Sequence, residues 1–168
     1  MPGTELVIAG RDIANPDGHA VMLAEAKEMG LESQLRLLPR VTPADLPALL
    51  SACDVGVAPG LAPDASGLAL MQALACGLPV VAHPIGAASE ILVAGAGRFA
   101  DGRKVATFAD GVAGLLTDRP ARTALSAAAR LAAIERFDLE RALYATEQSY
   151  ERVRDRASPD EARDRAAA

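Results

Sequence analysis

A chain of 168 residues, 51% hydrophobic and 23% charged, has the size and composition of one globular domain that can bury a core without disulfides or metal. Its formal net charge of -5 argues against a nucleic-acid backbone as partner, and 3% aromatic residues leave few rings for base stacking. Ala, Leu and Val must therefore fill the interior. Cys53 and Cys76 show neither metal-ligand nor CxxC spacing and read as reduced thiols of a cytoplasmic protein. No signal peptide is expected. The longest apolar run, residues 67–82, is interrupted by Gln72, Gly77 and Pro79, so it reads as a helix and a strand and not as a transmembrane segment. Peripheral contact with the inner membrane face stays open.

In chain order, Glu5-Leu6-Val7-Ile8-Ala9-Gly10 has the form of a strand buried on both faces. Asn15, Pro16, Asp17 and Gly18 make a loop, and helical spacing then runs over about 19–29, closed by Gly30. A second strand is expected over 35–38. Thr42-Pro43-Ala44-Asp45 starts a helix, with Thr as the cap and Asp near the positive end of the dipole. That helix ends near Cys53. A third strand over 54–58, a helix over 67–76 and a fourth strand over 79–82 follow. A short helix over 88–93 and a weak strand over 98–100 come next. From Thr107 the chain reads as helical, with breaks expected at Pro120 and near Phe137-Asp138. Arg and Glu between 119 and 156 read as a solvated helix face. Residues 157–168 read as a disordered tail, which leaves 1–156 as the domain.

Strands alternating with helices imply βαβ units, hence an α/β fold with a doubly wound, Rossmann-like parallel sheet and extra helices at the C-terminal end. Ligands of such sheets bind at the carboxyl ends of the strands. The loops at 10–17, 59–66 and 83–90 are therefore the places to look for function.

The second of these leads into the most informative stretch. Ser66 is expected to cap the helix, leaving the amides of Gly67, Leu68 and Ala69 and the positive dipole end to receive a phosphate. Gly67 would permit the close approach of a diphosphate. Gln72 is the strongly polar side chain between Ser66 and Gly77, and it must find a ligand hydroxyl or neighbouring backbone as partner. His83 follows the fourth strand at the functional edge, either facing a phosphate or acceptor or serving as a loop residue. GxGxxG and P-loop patterns do not occur, and no metal set is legible.

Pro59, Ser66-Gly67-Leu68, Ala73, Ala75, Gly77 and Pro79-Val80-Val81-Ala82 resemble the signature of the group 1 glycosyltransferases. That signature reads P-S followed by E-x-x-G-L-x-x-x-E-A-x-A-x-G-x-P-V-V-A. Gly86 with Glu90-Ile91 is similar to the family's G-G-x-x-E-I, and the likeness extends over residues 6–150. The resemblance implies the C-terminal, nucleotide-sugar-binding half of a retaining enzyme of GT-B architecture. It implies a nucleoside-diphosphate sugar as substrate, with no cofactor and no metal. Asp64 falls on the glutamate that contacts the donor sugar at the reaction centre, and Gln72 on the glutamate that binds the ribose. Gly10, Arg40 and Val41 would border the nucleotide, the latter two mostly through backbone. Ser66, Gly67, Leu68, Gly86 and Glu90 would shape the diphosphate site.

Two departures accompany the likeness. Aspartate at 64 sets its carboxylate about 1.5 Å back from a glutamate's, and glutamine at 72 keeps donor and acceptor capacity without the charge-assisted bond. The family's first strand and helix, which carry an Arg and a Lys to the diphosphate, are also expected to be absent. Arg11 is then the nearest substitute, although a solvated loop residue is the plainer reading. Without a mid-sheet strand, two strand edges would be open and could drive self-association. The acceptor would be held by a separate N-terminal lobe, so the chain alone is not expected to turn over. The alternative is a degenerate, non-catalytic nucleotide-binding or scaffold domain.

Overall fold

The computed structural model describes residues 3–10, 17–38, 40–60, 67–92 and 95–166, with side chains described as far as residue 154. Asp64, Ser66 and Arg11 lie outside the described residues. The chain divides into two compact units, Met1–Leu49 and Leu50–Ala168.

The first unit holds β1 (Leu6–Ala9), α1 (Gly18–Glu28), a 3-10 turn (Glu32–Gln34) and β2 (Leu35–Leu38). β1 and β2 pair in parallel, Leu6 opposite Leu35 and Ala9 opposite Leu38, as a βαβ connection requires. The expectation of a strand buried on both faces fails at β1. Leu6 is 45% exposed and α1 buries no residue. Among the described residues β1 pairs with β2 alone, so its other edge and much of its surface stay uncovered. Further on, the Thr42 hydroxyl accepts the Asp45 amide at 3.2 Å, and helix α2 (Leu46–Ser51) follows. Thr42, expected as the helix cap, instead closes the turn over 43–45 that precedes the helix.

The second unit contains β3 (Gly56–Ala58), α3 (Leu68–Ala75), β4 (Val80–Ala82), α4 (Ala88–Ile91), β5 (Gly97–Phe99), α5 (Val105–Thr117), α6 (Arg119–Arg136) and α7 (Leu139–Ala166). Its sheet runs β3-β4-β5 with both pairings parallel, Val57 opposite Val81 and Val81 opposite Arg98. The central strand β4 is buried along its whole length. Leu70, Ala73 and Leu74 recur at helical spacing on α3 and face this core. Ala129 and Ala133 on α6 are buried in the same cluster, and their small size lets α3 and α6 pack together. Fully burying a leucine such as Leu74 stabilises by about 1.5–3 kcal/mol.

The helix boundaries correct two expectations. The break placed at Pro120 falls instead at Asp118, whose carboxylate accepts the Ala121 amide at 2.9 Å. Pro120 then sits in the first turn of α6, where its missing N–H removes nothing. The break near Phe137-Asp138 is present, with Asp138 accepting the Arg141 amide at 3.1 Å. The arginines read as one solvated face include three that close other helices. Arg130 donates to the Ala75 carbonyl at the end of α3. Arg136 donates to the Glu90 carbonyl in α4 at 3.0 Å. Arg122 donates to Leu115 and Leu116 of α5 at 3.0 and 2.9 Å. The last-turn carbonyls of a helix lack intrahelical donors, and a cation there also opposes the dipole. α7 is helical to Ala166, across the stretch that composition reads as a disordered tail.

Neither Cys53 nor Cys76 is in a disulfide. Burial, and secondarily the neighbouring Asp54 carboxylate, push the Cys53 thiol up, so it stays protonated at neutral pH. No helix among the described residues is long and apolar enough to cross a membrane.

Candidate functional site

The carboxyl ends of β3, β4 and β5 come together in the second unit. The ladder extends past the strands: the His83 amide donates to the Ala58 carbonyl at 3.0 Å, and Ala100 donates to Ala82 at 2.9 Å. Pro59, His83 and the Asp101-Gly102 turn therefore occupy one edge of the sheet. A methyl group added at Gly102 would lie 2.6 Å from the Pro59 carbonyl oxygen and 3.2 Å from His83 Cβ. This turn is thus seated directly on the residue that opens the loop after β3.

The amino end of α3 adjoins this edge. Gly67, and not the expected Ser66, occupies the cap position, with φ +59° in the left-handed region. Its carbonyl accepts the Met71 amide at 3.0 Å, the first bond of the helix. A left-handed cap suits glycine because a side chain would crowd the following carbonyl. Gly67 has no room for a side chain in any case. Its Cβ would fall 2.1 Å from Ile91 Cδ1 and 3.0 Å from Ala87 Cβ. Through these contacts α3 begins against the turn that carries Gly86, also at positive φ, and against α4.

Of the residues singled out from sequence, Gly67, Leu68, Gln72, Gly86 and Glu90 belong to this unit. Leu68 is 55% exposed at the first position of α3. Gln72 is half-buried one turn further along the same stripe. Glu90 is exposed on α4, and its carbonyl is held by Arg136. Gly10, Arg40 and Val41 belong to the first unit. Gly10 follows β1 and donates to the Leu38 carbonyl at 2.9 Å; Arg40 is exposed and Val41 half-buried.

Sequence reasoning missed Asp101 and Gly102. The signal available was the Asp-Gly pair after a strand, which marks a tight turn. Asp101 builds that turn: its carbonyl accepts the Lys104 amide at 3.0 Å, and its carboxylate accepts the Arg103 amide at 3.1 Å. The Lys104 ammonium lies 3.9 Å from the same carboxylate, an exposed pair of little energetic weight. Among the described residues, no three His, Cys, Asp or Glu side chains are grouped to hold a metal ion.

The sequence model of the family "Glycosyl transferases group 1" matches residues 1–132. D-inositol 3-phosphate glycosyltransferase of Mycobacterium avium (strain 104) is 33% identical over 135 residues, 77% of this chain and 31% of the relative. The chain thus spans about a third of the length of the curated relatives it matches. Anabaena HepE, solved in complex with UDP and glucose, superimposes with a TM-score of 0.83 and 24% identity over 90% of this chain and 41% of its own. The C-terminal domain of the group 1 family protein LpcC from Francisella tularensis gives a TM-score of 0.71 and 20% identity, covering 80% of this chain and 70% of that domain's chain. These structures share the fold, α/β with parallel strands.

Proposed function

Because the chain belongs to the group 1 glycosyl transferases, we propose that it is the donor lobe of a retaining glycosyltransferase, which binds a nucleoside-diphosphate sugar. The observation that carries this reading is the amino end of α3. Gly67 caps that helix in a left-handed conformation, packed without space for a side chain against Ala87 and Ile91. A helix start beside the carboxyl edge of a parallel sheet favours a phosphate group. Leu68 and Gln72 share one stripe of α3, so a donor with its diphosphate at the helix start would run its ribose towards Gln72. By the family likeness Asp64, outside the described residues, would be the group at the donor sugar. No cofactor or metal is assigned a role; the chemistry would come from positioning and from stabilising the leaving diphosphate.

Titration of the chain with UDP, GDP and ADP by calorimetry tests the reading, with amide spectra recorded in parallel. Heat with at least one diphosphate and shifts at Gly67 to Ala69 are expected. Silence in both at millimolar ligand would leave the scaffold reading, which the exchange of both signature glutamates for Asp64 and Gln72 favours.

The acceptor belongs, on this reading, to a second lobe. Support comes from the third of the relatives' length that the chain spans and from α7. Leu139, Leu143, Tyr150 and Val153 are 60–75% exposed there and follow one another at spacings of four, seven and three residues, as a helix face that packs on another unit does. The sheets have open edges too: among the described residues β1 pairs only with β2, and β3 only with β4. Such edges recruit strands from other chains. Sedimentation of the isolated chain is expected to show concentration-dependent association, and a monomer at all concentrations would exclude this. Cysteines outside any disulfide, Cys53 and Cys76, suit a reducing, cytoplasmic setting.

A further inference from the structure

Among the described residues His83 is the buried polar one, 7% exposed, at the end of the central strand β4. Its backbone amide is bound to Ala58 on one side. On the other side its Nδ1 accepts the Gly102 amide at 3.1 Å. A backbone amide can only donate, so Nδ1 must carry a lone pair, and the ring is neutral with its proton on Nε2. Asp101 Oδ1 lies 3.7 Å from the same Nδ1, too far for a hydrogen bond and, facing a lone pair, not an ion pair. Lys104 stands on the far side of that carboxylate, 3.9 Å away.

One residue therefore joins three strand ends, through its backbone amide on one side and its ring on the other. It anchors the Asp101–Lys104 turn, and through the close seating of Gly102 on the Pro59 carbonyl it sets the position of Pro59 at the end of β3. An apolar residue of similar size would fill the space and leave the Gly102 amide without its acceptor.

We propose that His83 is a positioning residue for the donor site: its unprotonated Nδ1 latches Gly102 and so fixes Pro59 at the entry of the loop leading to α3. This rests on the donor-lobe reading for its functional consequence, while the latch itself is readable without ligand. A merely space-filling histidine has no preferred tautomer and no preferred replacement, and the latch has both.

The test compares wild type with His83→Asn and His83→Gln. Asparagine places an acceptor oxygen near the position of Nδ1; glutamine places its amide near Nε2 and leaves Gly102 unbound. In the free wild-type protein at neutral pH, the imidazole nitrogen spectrum should show Nδ1 unprotonated and Nε2 protonated. Without ligand, the amides of Gly60 and of Asp101 to Lys104 should keep their positions in His83→Asn and move in His83→Gln. UDP affinity should stay within about twofold of wild type in the first variant and fall about tenfold or more in the second, the order expected when a supporting hydrogen bond is lost. A protonated Nδ1 in the wild type overturns the proposal, and so does an asparagine variant as perturbed as the glutamine one. Should wild type bind no nucleotide, the donor-lobe reading fails, and the ligand-free spectra still decide on the latch.

Discussion

Gly67→Ala is expected to destabilise the protein by about 2–5 kcal/mol, from left-handed backbone that disfavours a side chain by roughly 1–2 kcal/mol and from overpacking worth roughly 1–3. The crowding is specific. The new methyl would fall 2.1 Å from Ile91 Cδ1, and Ile91 is 5% exposed in the core cluster, so it has nowhere free to go. At about 2–4 °C per kcal/mol for a chain of this size, the melting temperature should drop by roughly 5–20 °C. Adding Ile91→Val removes the clashing Cδ1 and should recover part of the loss, leaving the backbone strain. Thermal melts of the single and double variants check this. A single variant that melts within a degree or two of wild type would show that the start of α3 is not constrained as described. UDP affinity should fall along with stability, since the same backbone forms the proposed phosphate site.

Leu74→Ala should produce a comparable loss of stability and leave binding intact. Leu74 is fully buried two turns further along α3, in the cluster that contains Ala129 and Ala133 of α6. Deleting a buried leucine costs about 2.7–5 kcal/mol, the upper part of the range applying where neighbours cannot collapse into the space. Alanines on a helix cannot extend to fill a cavity, so the site should fall there. Denaturant melts give the stability, and calorimetry with UDP, at a temperature where the variant stays folded, gives the affinity. A loss below about 1 kcal/mol would mean that α3 and α6 repack, and a changed affinity would mean that packing two turns down α3 reaches its amino end. Together the two variants separate a residue that shapes the site from one that only holds its helix in place.

The sequence by itself determined the α/β class, the order of strands and helices, the break at Phe137-Asp138 and the stretch that carries the family likeness. The elements depend on periodicity or capping within a few neighbouring residues, so a window of ten positions contains their cause, and the likeness rests on the match of individual residues to a family signature. Only the tertiary structure decided the rest. Ser66 is a good cap by type, but the packing of Ala87 and Ile91 against Gly67 accompanies a left-handed cap one residue later. β1 has the pattern of a strand buried on both faces, but burial needs neighbours, and the described residues supply one. The arginines of α6 look solvated in sequence because their partners are distant: Arg130 reaches a carbonyl 55 positions away. His83 and Gly102 are 19 positions apart, and neither residue type implies the other. Their bond exists because β4 and β5 pair in parallel and end side by side. Such contacts follow from the register of strands and the seating of helices, which the whole chain sets together and no local stretch encodes.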